Sequence, residues 1–186
     1  MKILVTAFGP FDGRAENASS LALHELKKTF PKIYTRILPV DSVIAPARLK
    51  QALRVIRPDT LILLGEAAGG RSIRLESTAW NELDFKIPDI AGRQPISRPI
   101  QNGAPANLHT TLPLDQIRKL LDLKKHEAIL SRDPGRYLCN QLFFTALAFL
   151  ETHSSPCRAG FIHLPLAEDY STERAAEALG WIIRAL

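Results

Sequence analysis

Short apolar runs, each stopped by a turn residue, constrain this chain more than any other feature. Lys2 to Ala7 is β-branched and apolar and ends near Gly9-Pro10, and Thr60 to Leu64 is continuously apolar and runs into Gly65. Ala128 to Ser131 and Ala159 to Leu164 repeat the second pattern. A run of this kind reads as a strand covered on both faces, because a strand with one wet face would alternate. Helix-like segments lie between the runs. Asn17 to Ser20 can cap a helix carrying Leu21, Leu23 and Leu26 that stops at Phe30-Pro31. Tyr34 to Val40 reads as a further strand, and Ser42 can cap a helix with Leu49, Ala52, Leu53 and Ile56 at helical spacing. Leu114 to Leu123, Tyr137 to Thr152 and Ser171 to the end complete the set. Strands and helices in alternation predict an α/β three-layer sandwich with a mixed, largely parallel central sheet, and such sheets place their sites at the carboxyl ends of strands.

The 186 residues fit one domain, residues 1–186, large enough to bury a core without disulfide or metal. One stretch is irregular. Lys86 to Pro113 holds Pro88, Pro95, Pro99, Pro105 and Pro113 with Gly92 and Gly103, which predicts a long excursion over the sheet. The formal charge of +5 raises nucleic-acid binding. Its distribution argues against it, since basic residues are scattered among 19 acidic ones and the densest groups are the pairs Lys27-Lys28 and Lys124-Lys125. The two cysteines, Cys139 and Cys157, have neither CxxC spacing nor a histidine cluster that would suggest zinc. No run approaches the ~20 apolar residues of a membrane span. The opening apolar run is too short for a signal segment, so the expected location is the cytoplasm.

Three polar side chains stand out. Cys139 follows the turn signal Asp133-Pro134-Gly135 and falls in the first turn of a segment that is apolar nearly all round. Unpaired amides and the positive end of the helix dipole favour a thiolate there and could hold an oxyanion. Taken alone, a cysteine in a buried helix is more often structural than catalytic. His163 lies where the run Gly160 to Leu164 meets Pro165, which suits either a site at a strand end or a hydrogen-bonded core histidine. Glu76 follows the alternating stretch Ser72 to Leu75, and by itself reads as an ordinary solvated carboxylate.

The order of these residues, with their neighbours, resembles a known family. Val5-Thr6-Ala7-Phe8-Gly9-Pro10-Phe11 with Asn17, Ala68-Gly69-Gly70-Arg71, and Glu76 with Ala79 and Asn81 are similar to motifs of the pyroglutamyl peptidases of the first type. Ile87-Pro88-Asp89, Thr111-Leu112-Pro113, Gly135 to Asn140 and Gly160 to Pro165 continue the likeness to about residue 165. The resemblance implies a cysteine peptidase that removes N-terminal pyroglutamate from peptides without metal or organic cofactor. It makes Cys139 the nucleophile, His163 the general base and Glu76 the residue that orients the histidine. Phe8 and Phe11 match ring-binding positions, with Ala68, Gly69 and Lys86 also expected at the substrate. A homo-oligomer, dimer or tetramer, is implied as well. Three departures stand beside this. Lys86 replaces the family's usual arginine, Glu66 brings a charge near the expected pocket, and the segment after Pro165 is shorter than usual. They motivate an alternative, a weakened or non-catalytic relative that binds a small ligand.

Overall fold

The computed structural model describes all residues, 1–186. Eight strands and five helices alternate along the chain: β1 Ile3–Phe8, α1 Ala18–Thr29, β2 Tyr34–Leu38, α2 Ile44–Ile56, β3 Thr60–Glu66, β4 Ile73–Glu76, β5 Thr78–Trp80, β6 Asn107–His109, α3 Leu114–Leu123, β7 Ala128–Ser131, α4 Leu138–Thr152, β8 Arg158–Leu164 and α5 Thr172–Ala185. Six strands form one sheet in the order β2-β1-β3-β8-β4-β7. The first four run parallel, β4 runs antiparallel to β8, and β7 is parallel to β4. No helix is long and apolar enough to cross a membrane.

The pleat divides each buried strand between two cores. Val5, Ile62, Leu64, Leu75, Ile162 and Leu164 face α1, α3 and α5, whereas Leu4, Leu61, Leu63 and Phe161 face α2 and α4. Side chains alternate with period two along a strand, so Gly65, Arg74, Glu76 and His163 all fall on the α4 face. Register then sets their neighbours. Gly65 pairs with His163 across β3 and β8, and Arg74 pairs with His163 across β4 and β8.

The predicted sandwich is present, with three local differences. Ala128–Ser131 is not covered on both faces: β7 is an edge strand whose Ile129 and Leu130 are exposed. Its apolar run lacks the length by which a central strand would be told from an edge. The helix α2 is capped by Asp41 rather than Ser42; Asp41 Oδ1 accepts from the amides of Val43 and Ile44 at 2.8 Å each. The irregular excursion contains one strand, β6, which pairs with β5 in a separate two-stranded sheet.

Asp89 anchors that excursion. Its buried carboxylate accepts from the Ser42 amide (2.8 Å) and hydroxyl (2.6 Å) and from the amides of Ala91 and Arg93 (2.9 Å each). Burial opposes its charge, but these donors, led by Ser42, hold the carboxyl well below the usual range. A group depressed in the folded state contributes stability above its unfolded pKa and loses it as pH falls through the folded value. Asp89→Ala leaves buried donors unpaired and lowers unfolding stability by about 3 kcal/mol at neutral pH. Chemical denaturation of the variant against the wild type reads this directly, and the deficit shrinks toward acid.

Candidate active site

The helix α4 explains where the sulfur goes. Its residues Leu138, Leu142, Phe143, Phe144, Ala146 and Leu147 are all buried, so the element is packed along most of its surface, and its first turn meets a cavity. Entry is set by the turn Asp133 to Gly135, with Gly135 at φ 80° and its amide bound to Asp133 Oδ1 at 3.1 Å. That left-handed conformation suits glycine. Tyr137, the N-cap residue, supplies no side-chain cap to the helix, so the amides that open it are not capped by it.

Asn140, fully buried beside Cys139, locks this turn in place. Its Oδ1 accepts from Trp80 N at 2.7 Å, and its Nδ2 donates to Trp80 O at 2.8 Å and Glu82 O at 2.9 Å. The side chain thus satisfies the backbone of β5 as another strand would.

Cys139 is half-buried at the first turn and lines a cavity of about 840 Å³. A methyl group added to Gly65 would come within 2.9 Å of its Sγ, so the sulfur rests directly over Gly65. The register places His163 beside that glycine on the neighbouring strand, with strands ~4.8 Å apart. His163 is 4% exposed, and its Nδ1 lies 2.8 Å from Glu76 Oε1. Glu76 is fully buried. Burial alone would push the imidazole pKa down, but the Cys139 sulfur and the Glu76 carboxylate overcome it and raise it to about 9. The arrangement can therefore hold a thiolate and an imidazolium side by side, with a carboxylate fixing the ring from behind.

The cavity accounts for most of the remaining expected residues. Phe8, Phe11, Ala68 and Lys86 line it together with Tyr137 and Leu166. Phe8 is the last residue of β1 and Phe11 stacks loosely on Tyr137, ring centroids 5.5 Å apart. Gly69 does not line the cavity; it borders a neighbouring groove with Gly70, Ser72 and Arg74. His163 and Glu76 lie behind the sulfur rather than on the cavity wall. The two charged departures are both compensated. Glu66 pairs with Arg14 at 2.9 Å and accepts from Ala18 N at 2.6 Å, while the exposed Lys86 pairs with Asp84 at 2.6 Å. Sequence reasoning gave no role to Asn140, Gly65 or Arg14. The adjacent amides Asn140 and Gln141 in the first turn of a largely apolar helix were the available signal for Asn140.

A family model described as pyroglutamyl peptidase matches residues 1–178. The chain belongs to the pyroglutamyl peptidase family. A pyrrolidone-carboxylate peptidase from Clavibacter michiganensis is 36% identical over 176 residues, covering 93% of this chain and 80% of that protein. One from Thermococcus litoralis is 37% identical over 175 residues, covering 90% and 78%. Among solved structures, pyroglutamyl peptidase I of Bacillus amyloliquefaciens superposes with a TM-score of 0.92 at 30% identity, covering 97% of this chain and 94% of that one. The Pyrococcus furiosus pyrrolidone carboxyl peptidase superposes with a TM-score of 0.93 at 32% identity, covering 100% and 97%. The fold expected from the sequence is the fold of this family.

Proposed function

We propose that the chain hydrolyses the amide bond after an N-terminal pyroglutamyl residue and releases 5-oxoproline, with Cys139 as nucleophile, His163 as general acid and base, and Glu76 as the group that orients the imidazole. The observation that carries this reading is the 2.8 Å contact of Glu76 with His163 beneath a sulfur at the open end of a buried helix. The thiolate adds to the scissile carbonyl, the imidazolium gives its proton to the departing amine, and an acyl-enzyme forms. Water, deprotonated by the now neutral imidazole, then releases the acid. Phe8 and Phe11 offer apolar faces to a flat, uncharged lactam that has no ammonium to grip, with Ala68 and Lys86 at the same cavity. The family resemblance extends the reading to one functional unit over residues 1–186, assembled as a dimer or tetramer in the cytoplasm, where reducing conditions keep Cys139 a thiol.

The test is turnover of pyroglutamyl-aminomethylcoumarin beside its prolyl and glutamyl analogues. The expected preference for the lactam is about 10³-fold or more in kcat/KM, because a site built around lactam hydrogen bonds leaves buried groups unpaired with proline. Equal turnover of the prolyl compound overturns the reading. The pH dependence has a definite sign. The His163 pKa is raised from 6.5 to about 9, so the stability it contributes is complete below 6.5 and is lost as pH rises through about 9. Acylation loses its proton donor over the same interval, so kcat/KM has its basic limb near pH 9.

A further inference from the structure

We propose that Arg74 is a positioning residue, a single guanidinium that ties the histidine-orienting carboxylate of Glu76 to the turn from which the cysteine-bearing helix springs. The inference rests on the proposed roles of Cys139, His163 and Glu76. Arg74 sits two residues before Glu76 on β4, so both side chains leave the strand on the α4 face. Its Nε lies 3.4 Å from Glu76 Oε1. Its Nη2 donates to Asp133 O at 2.7 Å and to Ser131 Oγ at 3.2 Å.

Asp133 opens the turn that leads into α4, and Ser131 Oγ in turn accepts from the Asp133 amide at 3.2 Å. One rigid, planar group therefore spans two parts of the site that come from distant stretches of sequence. Glu76 needs such help. Its Oε1 faces both His163 Nδ1 and Arg74 Nε, while its buried Oε2 has no hydrogen-bond partner. The carboxylate is thus held through one oxygen, by the base it orients and by the arginine.

The same geometry gives Arg74 an electrostatic effect. The titratable neighbours of the imidazole are Cys139 from α4 and Glu76 from β4, Arg74 on β4 is its charged cross-strand partner, and Gly65 on β3 contributes none. A cation against Glu76 offsets part of the negative charge that keeps the proton on His163. It thereby keeps the imidazolium a willing donor to the leaving amine.

The experiment compares wild type, Arg74→Met and Arg74→Lys by kcat, KM and the basic limb of the kcat/KM profile. Arg74→Met is expected to lower kcat about tenfold with KM within about twofold, and to move the basic limb upward by at least about half a pH unit. Arg74→Lys keeps the charge but not the fork, so the limb stays in place while kcat remains depressed. A limb unmoved in Arg74→Met, whatever kcat does, overturns the proposal, because a merely structural arginine would lower activity without shifting the titration. Where Arg74→Met does not fold, Arg74→Gln, which keeps a hydrogen-bond donor and removes the charge, takes its place: an upward shift of the limb supports the proposal and an unmoved limb overturns it. Glu76→Gln separates the underlying reading, since a fully active Glu76→Gln enzyme removes the carboxylate's role irrespective of what Arg74 does.

Discussion

Cys139→Ala abolishes turnover of a pyroglutamyl substrate, with kcat/KM reduced by at least about 10⁴ while the protein folds normally. The size follows from the chemistry, since no other thiol lines the cavity and the imidazole is left with no partner to activate. Folding survives because the thiol is half-buried at a cavity edge, so alanine removes one atom there. Cys157 is the internal control. It is buried, and burial pushes its thiol pKa up to about 11, so at neutral pH it is neither ionised nor within reach of substrate. Cys157→Ala therefore leaves kcat/KM within about twofold. Circular dichroism and steady-state kinetics on both variants check the pair, and the reverse pattern assigns the nucleophile to the wrong cysteine.

Gly65→Ala is expected to damage the enzyme without replacing any reacting group, by crowding the sulfur. The added methyl would meet Cys139 Sγ at 2.9 Å and the Phe161 ring at 2.8 Å. Phe161 has nowhere to go, being fully buried and packed against Phe143 with centroids 5.9 Å apart. The sulfur is the softer neighbour and shifts. A displacement of about 1 Å at a reacting atom costs on the order of 10²-fold in rate, and the overpacking itself costs about 1–3 kcal/mol of stability. Unaltered kinetics in Gly65→Ala show that the sulfur does not depend on this contact. The two effects can be separated by measuring kcat/KM well below the melting temperature of the variant.

These expectations draw unequally on the sequence. The strands β1, β3 and β8 were legible because burial on both faces writes an unbroken apolar run, and α4 because a helix covered on every side has no polar stripe. The direction of β4 was not legible. Ser72 to Leu75 alternates as any strand would, and nothing local to it encodes that its partner on one side runs the opposite way. The three-residue strands β5 and β6 were equally silent, since three residues are too few to show a period and Trp80 of β5 is held by the side chain of Asn140, sixty residues away. Glu76 shows the limit for a site. A glutamate carries no mark of burial in its own letter, and only the family motif singled it out, whereas the pleat that turns it toward α4 comes from a strand register visible only in the fold.

The reversed strand has a mechanical outcome. Because β4 enters the sheet against the direction of β8, its last residue, Glu76, ends opposite Phe161, deep among the strands, and not at the exposed rim. The carboxylate and the imidazole are thus pinned by the ladder itself. Residues around the cavity mouth can change charge, as the strand-end Glu66 and the loop residue Lys86 have done, and the spacing of carboxylate and imidazole keeps its dimensions.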